Sequence, residues 1–147
     1  MSRSDVPDDL GLLLYLPHRE LENRVFAALS RAGFDDVTPA QARVFHRIDR
    51  DGSRLTELAE AARVTKQTAG FLVDQLERAG YVERGPDPTD ARARLIRVAE
   101  RGRRAIPVCV DAIAEVQREW TAHLGRPRMV ALLDALARLR EITDLDL

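Results

Sequence analysis

Apolar residues recur along this chain mostly at helical spacing, and the one clear break in that rhythm lies between residues 80 and 98. Leu55, Leu58, Ala59 and Ala62 predict a short helix with a single core-facing side. Arg63 and Val64 interrupt it. Thr65 then opens a second helix as an N-cap whose hydroxyl can accept from free first-turn amides, and Leu72, Val73 and Leu76 carry its apolar face. Gly80 ends that helix at a C′-type position. Two β-prone runs follow, YVER and RLIRV, and the polar, proline-containing GPDPTDARA between them predicts a hairpin with a long tip. Helix, turn, helix and hairpin in that order define a winged helix-turn-helix over residues 38–98.

The flanks return to the helical period. Ile106, Val110, Ile113, Val116, Trp120 and Leu124 form one stripe, Gly125 and Pro127 end it, and Met129, Leu132, Leu133, Leu136 and Leu139 begin another. Near the start, Leu10, Leu13, Leu14, Leu21, Val25 and Leu29 make a third. These faces exceed what a reading head of roughly 60 residues can cover, so burial against a second copy in a two-fold homodimer is expected. The fold class is therefore mainly α with a small β-hairpin wing: one domain over residues 1–147, with dimerisation helices at 9–32 and 100–143.

Residue chemistry favours DNA over the alternative, a winged-helix adaptor that binds only protein. Thr65, Lys66, Gln67 and Thr68 occupy the first turn of the second helix, where this motif reaches phosphates and base edges. Arg92 and Arg94 lie at or just past the hairpin tip, placed for an electronegative minor groove. The net charge of −1 conceals an asymmetry: residues 54–104 hold 11 basic and 8 acidic side chains, net +3, and the remainder holds 12 and 16, net −4. Non-specific affinity should then be modest and strongly salt-dependent. With 22 arginines and one lysine in the chain, arginine abundance alone carries no argument.

The segment RLTELAEAARVTKQTAGFLVDQLERAGYVERGPDPTDARARLIRVAERG closely resembles the corresponding part of MarR-type transcriptional regulators, and the helices on either side resemble that family's flanking helices. The resemblance implies a homodimer on double-stranded DNA with a palindromic site. In PDPTDARARLIRV it further implies that Asp90 braces Arg92 and that Arg92 touches DNA. It also implies a small aromatic or anionic effector between the dimer helices and the reading head, with Tyr15, His18, His46 and Trp120 as candidate pocket residues that join apolar area to a polar tip. Phe71 stands where the family commonly presents a polar or basic residue, and would pack on a thymine methyl or on the wing. Ala99 replaces the usual Ser or Thr cap, at a cost of about 1 kcal/mol to the helix that follows. Pro17 and Pro107 fall inside helical patterns, where each kinks the helix or resets its start. Gly70 lets the backbone approach DNA or a neighbouring helix.

Other classes find little support. The chain has no glycine-rich phosphate loop, nucleophile elbow or clustered His, Cys and carboxylate set, so no enzyme activity and no cofactor are expected. His18, His46 and His123 lack metal-ligand spacing, so no metal is expected either. No run approaches the roughly 20 apolar residues of a membrane span, and MSRSDVPDDL has no signal-type apolar core, which predicts a cytoplasmic protein. Cys109, the only cysteine, sits in IPVCVDAI, the setting of a packed apolar helix.

Overall fold

A computed structural model describes residues 9–144 as helices and a hairpin in the order α1 (Leu10–Arg31), α2 (Pro39–Phe45), α3 (Leu55–Ala61), α4 (Lys66–Arg78), β1 (Val82–Asp87), β2 (Asp90–Val98), α5 (Glu100–Leu124) and α6 (Arg126–Thr143). The expected stripes of the head are its core. Leu58 and Ala59 of α3 and Ala69, Leu72, Val73 and Leu76 of α4 are buried, together with Val44, Tyr81, Val82, Ile96 and the α1 residue Leu29. Removing such side chains from water stabilises by roughly 1.5–3 kcal/mol each. Thr38 starts α2 with a reciprocal cap, its hydroxyl accepting from the Gln41 amide while the Gln41 side chain accepts from the Thr38 amide. The same Gln41, buried, donates to Gln75 of α4 at 2.9 Å.

The hairpin corrects one expectation. The strands do not stop at YVER and RLIRV: pairing continues through Pro86↔Arg94 to Asp87↔Asp90, which leaves Pro88 and Thr89 as the whole connection rather than a long tip. Asp87 makes the tight turn feasible, because its buried carboxylate accepts from both the amide and the hydroxyl of Thr89. Pro86 is tolerated because β1 is the edge strand and a register shift follows it. On its other side β2 pairs with Ser53, which exchanges two backbone hydrogen bonds with Ile96.

Helix α5 begins at Ala99 with no side-chain cap, as expected. Its first turn is nevertheless held tightly against the hairpin base. A Cβ on Gly102 would lie 2.4 Å from the Tyr81 carbonyl oxygen and 2.9 Å from both the Phe45 ring and Val98. Gly102, unnoticed in the sequence, is thus the glycine that close packing requires. Gly70 is not: a Cβ there would meet only Leu55 at 3.6 Å, so no neighbouring helix demands its absence. Pro17 and Pro107 reset neither start, since α1 and α5 run through them.

Outside the head the chain is sparsely covered. Arg24 of α1 bonds Glu119 of α5 through both terminal nitrogens, at 2.7 and 3.0 Å. Gly125, at φ +88, turns the chain from α5 into α6, where Met129 is the buried residue. Asp144, the C-cap of α6, reaches back to the head and pairs with Arg47 at 2.8 and 2.9 Å, which holds its carboxyl below the usual range.

Candidate nucleic-acid interface

The outer face of α4 follows from its burial pattern. Ala69, Leu72, Val73 and Leu76 turn inward, so Lys66, Gln67 and Thr68 of the first turn and Phe71 of the second are exposed. Thr65 caps the helix by accepting from the Thr68 amide at 3.1 Å and donates its own hydroxyl proton to Thr68 at 3.0 Å. The Thr68 hydroxyl accepts that proton and keeps its own O–H free to donate. Phe71 is 59% exposed and shares a shallow depression with Lys66, Gln67, Gly70 and Asp74.

Asp74 and Glu77 would repel phosphate from this face if left bare. Arg84 of β1 offsets part of that charge, bonding Asp74 at 2.8 Å and Glu77 at 2.8 Å, while its amide donates to the other Glu77 oxygen at 3.2 Å. The same bonds tie the wing to the recognition helix. Sequence reading missed Arg84 because its partners lie seven and ten residues away on a different element.

The wing has a second anchor. Arg54, just before α3, donates to Asp87 at 2.9 Å through Nε and approaches it at 2.7 Å through a terminal nitrogen. The Thr89 amide, the Thr89 hydroxyl and then Arg54 hold the Asp87 carboxyl down at about 2. The signal available in the sequence was Asp87-Pro88-Thr89, a turn in which an aspartate commonly accepts from the second residue on. Asp90 accepts from the Arg92 backbone amide at 2.9 Å and lies 4.0 Å from Arg54, so it fixes the Arg92 main chain while the Arg92 side chain extends from an exposed position. Arg94 is also exposed, with one guanidinium nitrogen 3.4 Å from the Arg84 carbonyl oxygen.

Head and flanking helices meet at a polar cluster. Arg101 of α5 donates to both Asp36 oxygens, at 2.8 and 3.0 Å, and to the Ala79 carbonyl at 2.8 Å, with its guanidinium 4.4 Å from the Tyr81 ring centroid. The Tyr81 hydroxyl donates to Asp36 at 2.5 Å. Arg101 lowers the Asp36 pKa, and burial followed by the Asp36 contact raises that of Tyr81. Beside this junction lies a cavity of about 280 Å³ lined mainly by apolar side chains, among them Leu29, Phe45, Leu76, Ile106 and Ile113. His46 borders it, as do Cys109 and Tyr81. Of the other candidate pocket residues, Tyr15 is 55% exposed on α1, His18 is exposed and 3.6 Å from Glu22, and Trp120 is half-buried on α5; this chain's cavity lining includes none of them. Cys109 is half-buried, and burial raises its thiol pKa, which disfavours the reactive thiolate.

A recognition helix whose polar outer face is clipped to an arginine-bearing hairpin defines a winged-helix DNA-binding module of transcription regulators. Comparison with known proteins places it more closely. The sequence model of the MarR family matches residues 35–93. The transcriptional regulator HosA of Escherichia coli is 30% identical over 91 residues, 61% of this chain and 67% of HosA. A transcriptional regulator of Thermotoga maritima superposes with a TM-score of 0.63 at 27% identity, over 91% of this chain and 93% of its own. A variant of MepR from Staphylococcus aureus, bound to an oligodeoxyribonucleotide, shares the fold with a TM-score of 0.59 at 18% identity, over 92% and 98% of the two chains. The chain belongs to the MarR family of transcriptional regulators. Among the described residues, no helix is long and apolar enough to cross a membrane.

Proposed function

We propose that the protein is a sequence-specific regulator that binds a palindromic operator as a homodimer, reading bases with Gln67 and Thr68 and gripping the backbone and minor groove with Lys66, Arg92 and Arg94. The observation that carries this reading is the wing's double anchorage: Arg84 to Asp74 and Glu77 on one side, Arg54 to Asp87 on the other. Those bonds fix two exposed arginines relative to the polar turn of α4, and Arg84 offsets one of the two carboxylate charges beside it. The MepR variant with its bound oligonucleotide, sharing the fold, supports the same use of the head. Two-fold pairing places the recognition helices one turn of duplex apart, about 10 base pairs between half-site centres.

Dimerisation is supported by apolar side chains exposed along α1, α5 and α6, including Leu13, Val110, Ile113, Leu133 and Leu136. The cavity beside the Arg101 junction supports control by a small molecule with an aromatic or otherwise apolar body and a polar group for His46. A ligand wedged between α5 and the head would bias their relative placement, with a coupling of about 1–3 kcal/mol.

Fluorescence anisotropy on a duplex selected by the protein from random sequence, beside a scrambled duplex, tests the DNA contacts. Gln67→Ala should cost roughly 1–3 kcal/mol on the selected duplex and little on the scrambled one, because a glutamine amide can pair both edges of adenine. Arg92→Ala should weaken both and reduce the salt slope by about one. Wild-type affinity and slope in Arg92→Ala would remove the wing from the contact surface.

A further inference from the structure

Helices α1, α3 and α4 all finish in the same C-terminal turn, and only two of them do so with glycine. In each, an alanine C-cap (Ala32, Ala62, Ala79) is followed by a residue in the left-handed region and then by an apolar residue whose amide bonds back five positions. Phe34 bonds to the Leu29 carbonyl at 2.8 Å, Val64 to Ala59 at 3.0 Å and Tyr81 to Leu76 at 2.9 Å. The left-handed residue is Gly33 at φ +92 and Gly80 at φ +85, but in the turn from α3 to α4 it is Arg63 at φ +57.

Space does not explain the difference. A Cβ on Gly33 would meet nothing within 4 Å and one on Gly80 would touch only the Arg101 side chain at 3.9 Å, so both positions have room for a side chain. Glycine stands there for its backbone freedom. Among the described residues, Arg63 is the non-glycine residue held at positive φ, a conformation that costs an ordinary L-residue measurable stability. Its side chain is exposed and borders, with Glu60, Thr65 and Thr68, a shallow depression at the N-terminal end of α4. In helix-turn-helix proteins the first helix crosses the phosphate backbone while the second enters the groove, and Arg63 lies just past the end of that first helix.

We propose that Arg63 is a DNA-phosphate-binding residue, and that the strained turn is retained because it aims a guanidinium at the backbone flanking the bases read by α4. A guanidinium suits this task because its planar fork can meet two phosphate oxygens at once. The proposal rests on the DNA-binding reading above and adds to it a contact outside the first turn of α4 and outside the wing.

Two variants separate function from fold. Arg63→Gly relieves the backbone and removes the cation; Arg63→Lys keeps both the strain and the charge. Arg63→Gly should fold and melt within about 4 °C of wild type, the relieved backbone set against the loss of what the side chain contributes. Its affinity for mixed-sequence duplex DNA should nevertheless fall, with the salt slope reduced by about 0.9, equivalent to about eightfold in affinity at about 0.1 M salt. Arg63→Lys should stay close to wild type in melting temperature and salt slope. A folded Arg63→Gly protein that binds the duplex with wild-type affinity and slope overturns the proposal and leaves the wider reading standing. A wild-type chain that binds no duplex at all overturns that wider reading, and this proposal with it.

Discussion

The reading head and the helices that flank it handle their apolar residues in opposite ways. In the head, Leu58, Val73, Leu76 and Ile96 are buried by other parts of the same chain, and the exposed positions of α4 are mostly polar. In the flanks, Leu10, Leu13 and Leu14 of α1 and Val130, Leu133, Leu136, Leu139 and Ile142 of α6 lie open. The head is a finished core within one chain. The flanking helices carry apolar area far beyond scattered surface residues, which is the mark of a surface made for another molecule.

Matched deletions in the two regions break that contrast most strongly. Leu76→Ala, at a position 1% exposed, should destabilise by about 2–5 kcal/mol at any protein concentration. Leu133→Ala, at 45% exposure in the single chain, should have a comparable effect only where a second copy covers it, and its unfolding should then depend on protein concentration. Urea unfolding of both variants at high and low concentration checks this. A Leu133→Ala protein that unfolds like the wild type at both concentrations would mean that the flanks have no partner.

Next in size is the seam between the regions. Gly102→Ala forces a methyl against the Tyr81 carbonyl and should cost at least about 1–3 kcal/mol, as overpacking of a tight contact does. Gly70→Ala provides the control. With only Leu55 at 3.6 Å it should be neutral or stabilising by up to about 1 kcal/mol, the ordinary gain of replacing a mid-helix glycine. Thermal melts of the pair decide: a Gly102→Ala protein as stable as wild type would show that α5 is not pressed on the hairpin base.

Much of the head was legible because its determinants are local. The stripe of α3, the Thr65 cap, the inward face of α4 and the Gly80 stop each lie within a few residues of what they specify. The parts that escaped depend on partners distant in sequence. Gly102 matters through Tyr81 and Phe45, and Arg84 through Asp74 and Glu77. The long tip that its prolines and aspartates suggest is absent from the wing. Here Asp87 closes a tight turn and Pro86 sits on an edge. Asp90, expected to brace Arg92, does so through the Arg92 backbone amide.

The smallest expected effect is the acid response of the wing. Asp87 falls from 3.8 to about 2 in the folded protein, so its bonds favour folding above about pH 4 and this contribution is lost as pH drops through about 2. The Thr89 amide resonance, followed by NMR from pH 5 downward, should shift with a midpoint near 2. A midpoint near 4 would mean that neither Thr89 nor Arg54 holds the carboxylate.

The contrast between a finished head and uncovered flanks is tested most directly by mass in solution. Light scattering on the full chain should give twice the 16.5 kDa chain mass, and a version ending at Gly125, lacking α6, should fall to one chain and lose high-affinity binding to a palindromic duplex. A full-length protein with the mass of one chain that still binds such a duplex tightly would contradict the account.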